Sequence, residues 1–297
     1  MTKFFNTRAV RRLSGLLLSC SLLPLAAHAD SALALQEKYA ALQAPLAQNQ
    51  FKRALVLEST ETPDGMRGDV YGVLAYPFGT VSSGLNSPSH WCDVLILHIN
   101  TKYCHPVAGP DGTRLRIYIG KKTPESLATA MRIDLDYSVV ALAPDYFEIV
   151  LHAKDGPQGT SDFHISLTGI AAQNNQTFLH LTYRYATNWF ARLAMQTYLG
   201  TVGYGKVGFT PIGPQANGQP ELVAGVRGLV ERNTMRYYLA IDSFLAATHN
   251  APAQQLENRL QHWFGAAEQY PQQLHDMARP EYLEMKRSEH ERQQTAQ

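Results

Sequence analysis

The chain has 297 residues, 45% of them hydrophobic and 17% charged, with 26 Lys and Arg against 25 Asp and Glu for a formal net charge of +1. The basic residues gather into no patch or stripe, which removes a nucleic-acid footprint. Past the first thirty residues no apolar run reaches the ~20 residues of a membrane span, so no stable transmembrane insertion is expected, and the length suits one large core with appendages.

Residues 1–29 read as a signal peptide. Lys3, Arg8, Arg11 and Arg12 form a basic front, Leu13 to Leu25 is an apolar run too short to span a bilayer, and Ala27-His28-Ala29 supplies the small residues a signal peptidase recognises. Cleavage is expected after Ala29, with the mature protein in the periplasm. Two finer alternatives are a twin-arginine signal at Arg11-Arg12, which Leu13-Ser14-Gly15 does not continue, and a lipoprotein box at Leu17-Leu18-Ser19-Cys20. Loss of residues 1–29 removes four basic and no acidic residues, so 22 basic against 25 acidic gives −3 for the mature chain.

Residues 30–52 carry Leu35, Tyr39, Leu42 and Leu46 at helical spacing, an amphipathic helix packed on the outside of the domain. Arg53–Thr60 and Arg67–Tyr76 read as strands joined by the Pro63-Asp64-Gly65 turn. A helix follows from Pro77 to Asn86 with Phe78, Val81 and Leu85 on one face, then a second short helix opened by Ser87-Pro88 and a strand over Leu97–Cys104. Five more strands show period-two alternation: Arg114–Gly120, Met131–Val139, Asp145–His152, the stretch through Phe163, Ile165 and Leu167, and that through Leu179, Leu181, Tyr183 and Tyr185. Strands with one apolar and one polar face belong in an antiparallel sheet covered on one side. The chain then turns helical over Trp189–Tyr204, loops through Gly203–Gly218, and resumes a long helix over Val226–Ala247 whose Val230, Tyr237, Ile241, Phe244 and Leu245 face the sheet. Residues 249–297 form a polar helical tail with the stripe Leu256, Leu260 and Phe264, and its last dozen charged residues are expected to fray.

Cys92 and Cys104 remain after export. An isolated pair in an oxidising compartment bonds, here tying the second short helix to the end of the next strand. The alternatives are two free thiols, or a metal site with His90, His98 and His105, whose spacing matches no common zinc pattern.

The most specific stretch is Tyr76-Pro77-Phe78, through Val81 and Leu85, to Ser87-Pro88-Ser89-His90-Trp91. With the strands after it and Val230-Glu231-Arg232-Asn233-Thr234-Met235-Arg236-Tyr237-Tyr238 in the last helix, it resembles the START-like, or SRPBCC, superfamily over about Arg53 to Ala247. The resemblance implies an α+β helix-grip fold, a curved antiparallel sheet wrapped around a long C-terminal helix, as a domain over residues 53–248. It further implies a cavity between sheet and helix for a lipid or another hydrophobic small molecule, which is the ligand expected here. The signal peptide, the cysteine pair and the helix near 189–204 depart from cytosolic members.

The candidate ligand-binding residues are Trp91 on the small helix, Tyr137, Tyr183 and Tyr185 on strands, and Asn233 and Tyr237 on the last helix. Aromatics with a polar tip are suited both to line a pocket and to pack a sheet. Tyr183 and Tyr185 follow the apolar phase of their strand; Tyr118 is out of phase and belongs outside. Asn233, Thr234 and Arg236 need partners: a ligand head group, a backbone carbonyl or a strand carboxylate. His98, Asp93 and His90 are the acid–base material for a rival reading, a cyclase or hydrolase acting in the same cavity. Ser89 and His90 are neighbours on a short helix and form no dyad. With no nucleophile elbow, phosphate loop or dinucleotide fingerprint, no cofactor and no metal are expected. Asp134 and Asp136 share a polar strand face, and Lys121-Lys122 reads as a solvated strand end. Pro106–Thr113 and Gly203–Gly218 are the loops suited to gate the cavity. A third reading is an interaction protein, its cavity filled by its own side chains, that docks a protein partner through the tail.

Overall fold

The computed structural model describes residues 23–188 and 205–295 together with Met1, Leu193, Met195 and Thr197. Strands β1 (Leu55–Thr62) and β2 (Gly65–Leu74) form a hairpin, helices α3 (Phe78–Leu85) and α4 (Pro88–Leu95) follow, and six strands run in succession: β3 (Thr101–Gly109), β4 (Gly112–Ile119), β5 (Met131–Leu142), β6 (Tyr146–Asp155), β7 (Ser161–Ala172) and β8 (Gln176–Ala186). They make one antiparallel, curved, unclosed sheet in the order β1-β2-β8-β7-β6-β5-β4-β3. The long helix α5 (Gly225–Ala246) lies in the grip of that sheet, so the fold is α+β and of the helix-grip kind.

The strands' period-two patterns become the concave core. Leu135, Leu151, Leu167, Leu181, Ile149 and Phe163 are all sealed from water on the face that meets α5, each contributing roughly 1.5–3 kcal/mol of apolar transfer. The helix approaches β2 closely because that strand carries glycine where the helix crosses it. A Cβ on Gly68 would collide with the Thr234 side chain, and one on Gly72 would stand 2.6 Å from the Tyr238 hydroxyl. Thr234 and Tyr238 are one helical turn apart, so one helix ridge seats in the groove that the two glycines leave.

Helices α1 (Leu23–Ala41) and α2 (Gln43–Ala47) sit on the other face of the sheet. Leu35, Leu42 and Leu46 pack there with Tyr71, Tyr146, Ile170 and Phe178 in a second, smaller core, as the N-terminal stripe predicts. The expected cleavage point after Ala29 falls within α1.

The structure corrects four expectations. Residues 97–100 form a turn, and β3 begins at Thr101; Leu97 and Ile99 are apolar because they plug the core beneath α4. Pro106–Thr113 is strand and hairpin: Pro106 lies in edge strand β3, where a missing N–H costs no ladder bond. Within Gly203–Gly218, Pro211–Pro214 pairs with Pro220–Leu222 as the two-stranded β9–β10, and the segment is anchored where buried Glu231 accepts from the Phe209 and Thr210 backbone N–H groups. The helix expected over Trp189–Tyr204 lies largely outside the described residues.

The fourth correction is the tail. Helices α6 (Pro252–Ala267), α7 (Pro271–Leu274) and α8 (Arg279–Gln294) fold back over α5 and share the main core through Leu260, Trp263, Phe264, Tyr282 and Met285. The Trp263 and Tyr282 rings stack at 4.9 Å. The charged last dozen residues stay helical to Gln294 because two of them are neutralised inside. Lys286 Nζ donates to Glu289 at 2.8 Å and to the carbonyls of His98 and Thr101, while Lys102 Nζ reaches the same Glu289 at 3.0 Å. Among the described residues no helix is long and apolar enough to cross a membrane.

Candidate functional site

Strand register lays a row across the concave face. Tyr137 on β5 pairs with Leu151 on β6, Leu151 with Ile165 on β7, Ile165 with Tyr183 on β8, and Tyr183 with Gly68 on β2. Tyr137 and Tyr183 thus stand three strand spacings apart, about 14 Å, with two aliphatic side chains between them. Tyr183 packs at 5.4 Å from Tyr237 of α5 and 5.6 Å from Tyr185. Tyr185 Oη lies 3.9 Å from Met195 Sδ. The rings therefore fill the space beneath the helix.

The helix side supplies the polar groups. Tyr237 stacks on His98 with ring centroids 4.6 Å apart. Asn233 Oδ1 accepts from Arg236 at 3.2 Å, and the Asn233 side chain also bears on Tyr183 and His98. Arg236, 1% exposed, donates to Asp276 at 2.7 Å, and Lys122 reaches the same carboxylate at 2.6 Å. Lys206 stands 3.9 Å from it. Arg236 thus finds a carboxylate from the α7–α8 turn, not one from a strand, and Lys122 is not a solvated strand end.

Electrostatics follow from this placement. Burial, then the positive charges of Arg236, Lys286 and Lys122, hold the His98 imidazole well below its ordinary pKa, so it is neutral. Burial, with Arg236 beside it, brings Lys122 down to about 8 against the opposing pull of Asp276. For Asp276 burial alone would raise the pKa, but Arg236 and Lys122 overcome it and the carboxyl ends below its usual range. Burial pushes the Tyr137 hydroxyl up to about 12 and raises those of Tyr183 and Tyr237 as well.

Three buried polar atoms here have no hydrogen-bond partner: Tyr137 Oη, His98 Nε2 and Arg236 Nε. Asn233 lies beside the His98 ring without closing a bond of ordinary geometry to Nε2. An unpaired buried polar atom costs roughly 1–3 kcal/mol, so each of the three leaves a place for water or another polar partner.

Other sequence-selected residues go elsewhere. Trp91, on α4, is 1% exposed and its indole N–H donates to the Leu85 carbonyl at 2.7 Å, so it packs α4 on α3. Asp93 accepts from Arg259 at 2.9 Å and ties α4 to α6. His90 bonds the Gly84 carbonyl at 2.8 Å and borders a hollow of about 290 Å3 with Thr80, Phe244 and Arg259. His90, Asp93 and His98 are thus held by separate partners and form no common acid–base site. Cys92 and Cys104 are joined as a disulfide that links α4 to β3.

On the opposite sheet face His152, Asp162 and His164 could offer one ligand atom each to a metal. The Arg184 guanidinium already pairs with Asp162 and donates to His164 Nδ1 at 3.2 Å, so an internal cation fills that cluster. Sequence reasoning missed Lys122, Asp276 and Lys206; the one local signal was Arg236, a permanent cation near the apolar stripe of a helix.

No family model matches the chain and no curated protein matches it. Among solved structures it is similar to a conserved protein from Geobacillus kaustophilus, at 14% identity over 62% of this chain and 97% of that one, with a TM-score of 0.34. It is also similar to the human StarD13 lipid transfer and protein localization domain, at 9% identity over 45% of this chain and 71% of that one, with a TM-score of 0.30. A conserved protein of unknown function from Enterococcus faecalis matches at 6% identity over 80% of this chain and 92% of that one, with a TM-score of 0.30. Likenesses this distant carry no argument about what this chain binds.

Proposed function

We propose that this is an exported START-like protein that holds one hydrophobic small molecule or lipid between the curved sheet and α5, acting in the periplasm as a carrier, sensor or scavenger. What supports the reading is the concave row from Tyr137 through Leu151 and Ile165 to Tyr183, with Tyr137 Oη on the strand side and His98 Nε2 and Arg236 Nε on the helix side left without a partner. The chain of the ligand lies along Leu151 and Ile165, displacing the tyrosine rings that fill the space in the free protein, and its polar atoms meet the orphaned groups. Apolar burial at roughly 25 cal/mol per Å² supplies the affinity, and the few polar contacts supply orientation. The disulfide between Cys92 and Cys104 suits an oxidising compartment, as does the signal-peptide pattern of residues 1–29.

The test is titration of the mature protein with the apolar fluorophore N-phenyl-1-naphthylamine, with dodecanol as competitor. The expected result is saturable binding of one probe that dodecanol displaces. Fluorescence that rises without saturation, or a saturable signal that dodecanol leaves untouched, would contradict the reading.

A further inference from the structure

The Asp276 side chain is 4% exposed and has three cations within 4.0 Å: Arg236 at 2.7 Å, Lys122 at 2.6 Å and Lys206 at 3.9 Å. One carboxylate cannot balance three cations. Glu268, which also acts on Lys206, is itself engaged with His275 Nδ1 at 2.9 Å. Lys206 Nζ also donates to the His275 carbonyl at 2.5 Å; of the three cations only Arg236 is buried, and its positive charge, after burial, also accounts for the depressed Lys122 and Lys206 amines.

The geometry connects this excess to the concave face. Arg236 turns one guanidinium nitrogen to Asp276 and another to Asn233, while its Nε has no partner. Asn233 in turn bears on Tyr183, at the end of the Tyr137–Leu151–Ile165–Tyr183 row. At the other end of the basin Lys122 and Lys206 retain 30% and 28% of their side-chain exposure, so the basin is open to solvent there. Cationic at its rim and apolar behind, the arrangement matches an amphiphile with a negative head.

Resting on the hydrophobic-ligand reading above, we propose that the basin formed by Arg236, Lys122 and Lys206 around Asp276 seats the anionic group, carboxylate or phosphate, of an amphiphile whose chain lies on the concave row. Arg236 offers its unpaired Nε–H from inside, its two terminal nitrogens being held by Asn233 and Asp276, and the two lysines close on the anion from the rim. A neutral amphiphile of the same chain length leaves those cations unmatched and binds more weakly.

The probes are cis-parinaric acid and its methyl ester, which share one fluorescent chain and differ in the carboxylate, titrated at pH 7 and low salt into the mature protein and into Lys122→Gln/Lys206→Gln. Both lysines are partly exposed, and melting by circular dichroism verifies the fold of the double variant. The acid is expected to bind about tenfold tighter than the ester to the native protein and less than about threefold tighter to the variant, with ester affinity unchanged. Inorganic phosphate as competitor then separates the two head groups: displacement of the acid but not the ester marks a phosphate seat, and no displacement marks a carboxylate seat. Equal binding of acid and ester, or a preference that survives in the double variant, overturns the anion seat while leaving the hydrophobic-ligand reading intact. Binding of neither probe overturns both.

Discussion

Two lysines and one glutamate are sealed between α8 and the start of β3, where Glu289 is 2% exposed and Lys102 and Lys286 are fully buried. Removing the shared carboxylate strands two ammonium groups in the interior. Glu289→Gln is therefore expected to lose about 3 kcal/mol or more of stability in urea unfolding, and a loss under about 0.5 kcal/mol, the scale of an ordinary surface substitution, would contradict the account. The same burial, with Lys102 beside it and Glu289 opposing, brings Lys286 down to about 8, as burial and Arg236 do for Lys122. A lysine whose folded pKa is depressed penalises the fold while both states are charged. The penalty is present below pH 8 and is relieved as pH rises from about 8 toward the unfolded value of about 10.4. Stability from this source should climb over that window, by at most about 1.4 kcal/mol per pH unit for each lysine; urea midpoints that fall steadily from pH 8 to pH 10 in wild type and in Lys122→Gln alike would count against it. These groups were illegible in the sequence for a physical reason. Lys122 meets Asp276 across 154 residues and Lys102 meets Glu289 across 187, while alternation and helical spacing report only which face a residue takes within its own element.

At the scale of elements, what the sequence made plain was what depends on local periodicity: eight strands, the α3–α4 pair begun by prolines, and the long helix that sits on the sheet. The miss at Leu97–Cys104 arose because a buried turn and a strand can carry the same apolar letters. The fraying expected of the last dozen residues failed because charge density was taken for solvation, whereas Lys286 and Glu289 cancel inside. Gly68 and Gly72 gave no sign in the sequence of their purpose, which is to let α5 sit against β2. Gly68→Ala is expected to cost about 1–3 kcal/mol because Thr234 behind it is fully buried and bonded to the Val230 carbonyl. A chemical-denaturation midpoint indistinguishable from wild type would show that the helix can ride outward. The disulfide closes a short loop, Cys92 and Cys104 being 12 residues apart, so Cys92→Ser/Cys104→Ser should lose roughly 3 kcal/mol. A thiol titration of the denatured native protein that finds two free cysteines would remove that bond from the account.

Taken whole, the molecule is a helix gripped between a curved sheet on one side and its own folded-back tail on the other, with the 207–210 segment closing on its first turns; Arg236 is buried against the tail, and Glu231 and Arg232 against that segment. Burial on both sides explains why the polar end of the concave face escaped a reading that expected one buried helix face. The same interior holds the orphaned Tyr137, His98 and Arg236 atoms, and at its edge Asp276 gathers Arg236, Lys122 and Lys206. The most direct measurement of whether something fills that place is native mass spectrometry of the protein purified from its own cells, followed by organic extraction. The expected result is a polypeptide beginning at Asp30 that carries one amphiphile in stoichiometric amount, released by the solvent. A mass equal to the bare disulfide-bonded polypeptide, with nothing in the extract, would contradict it.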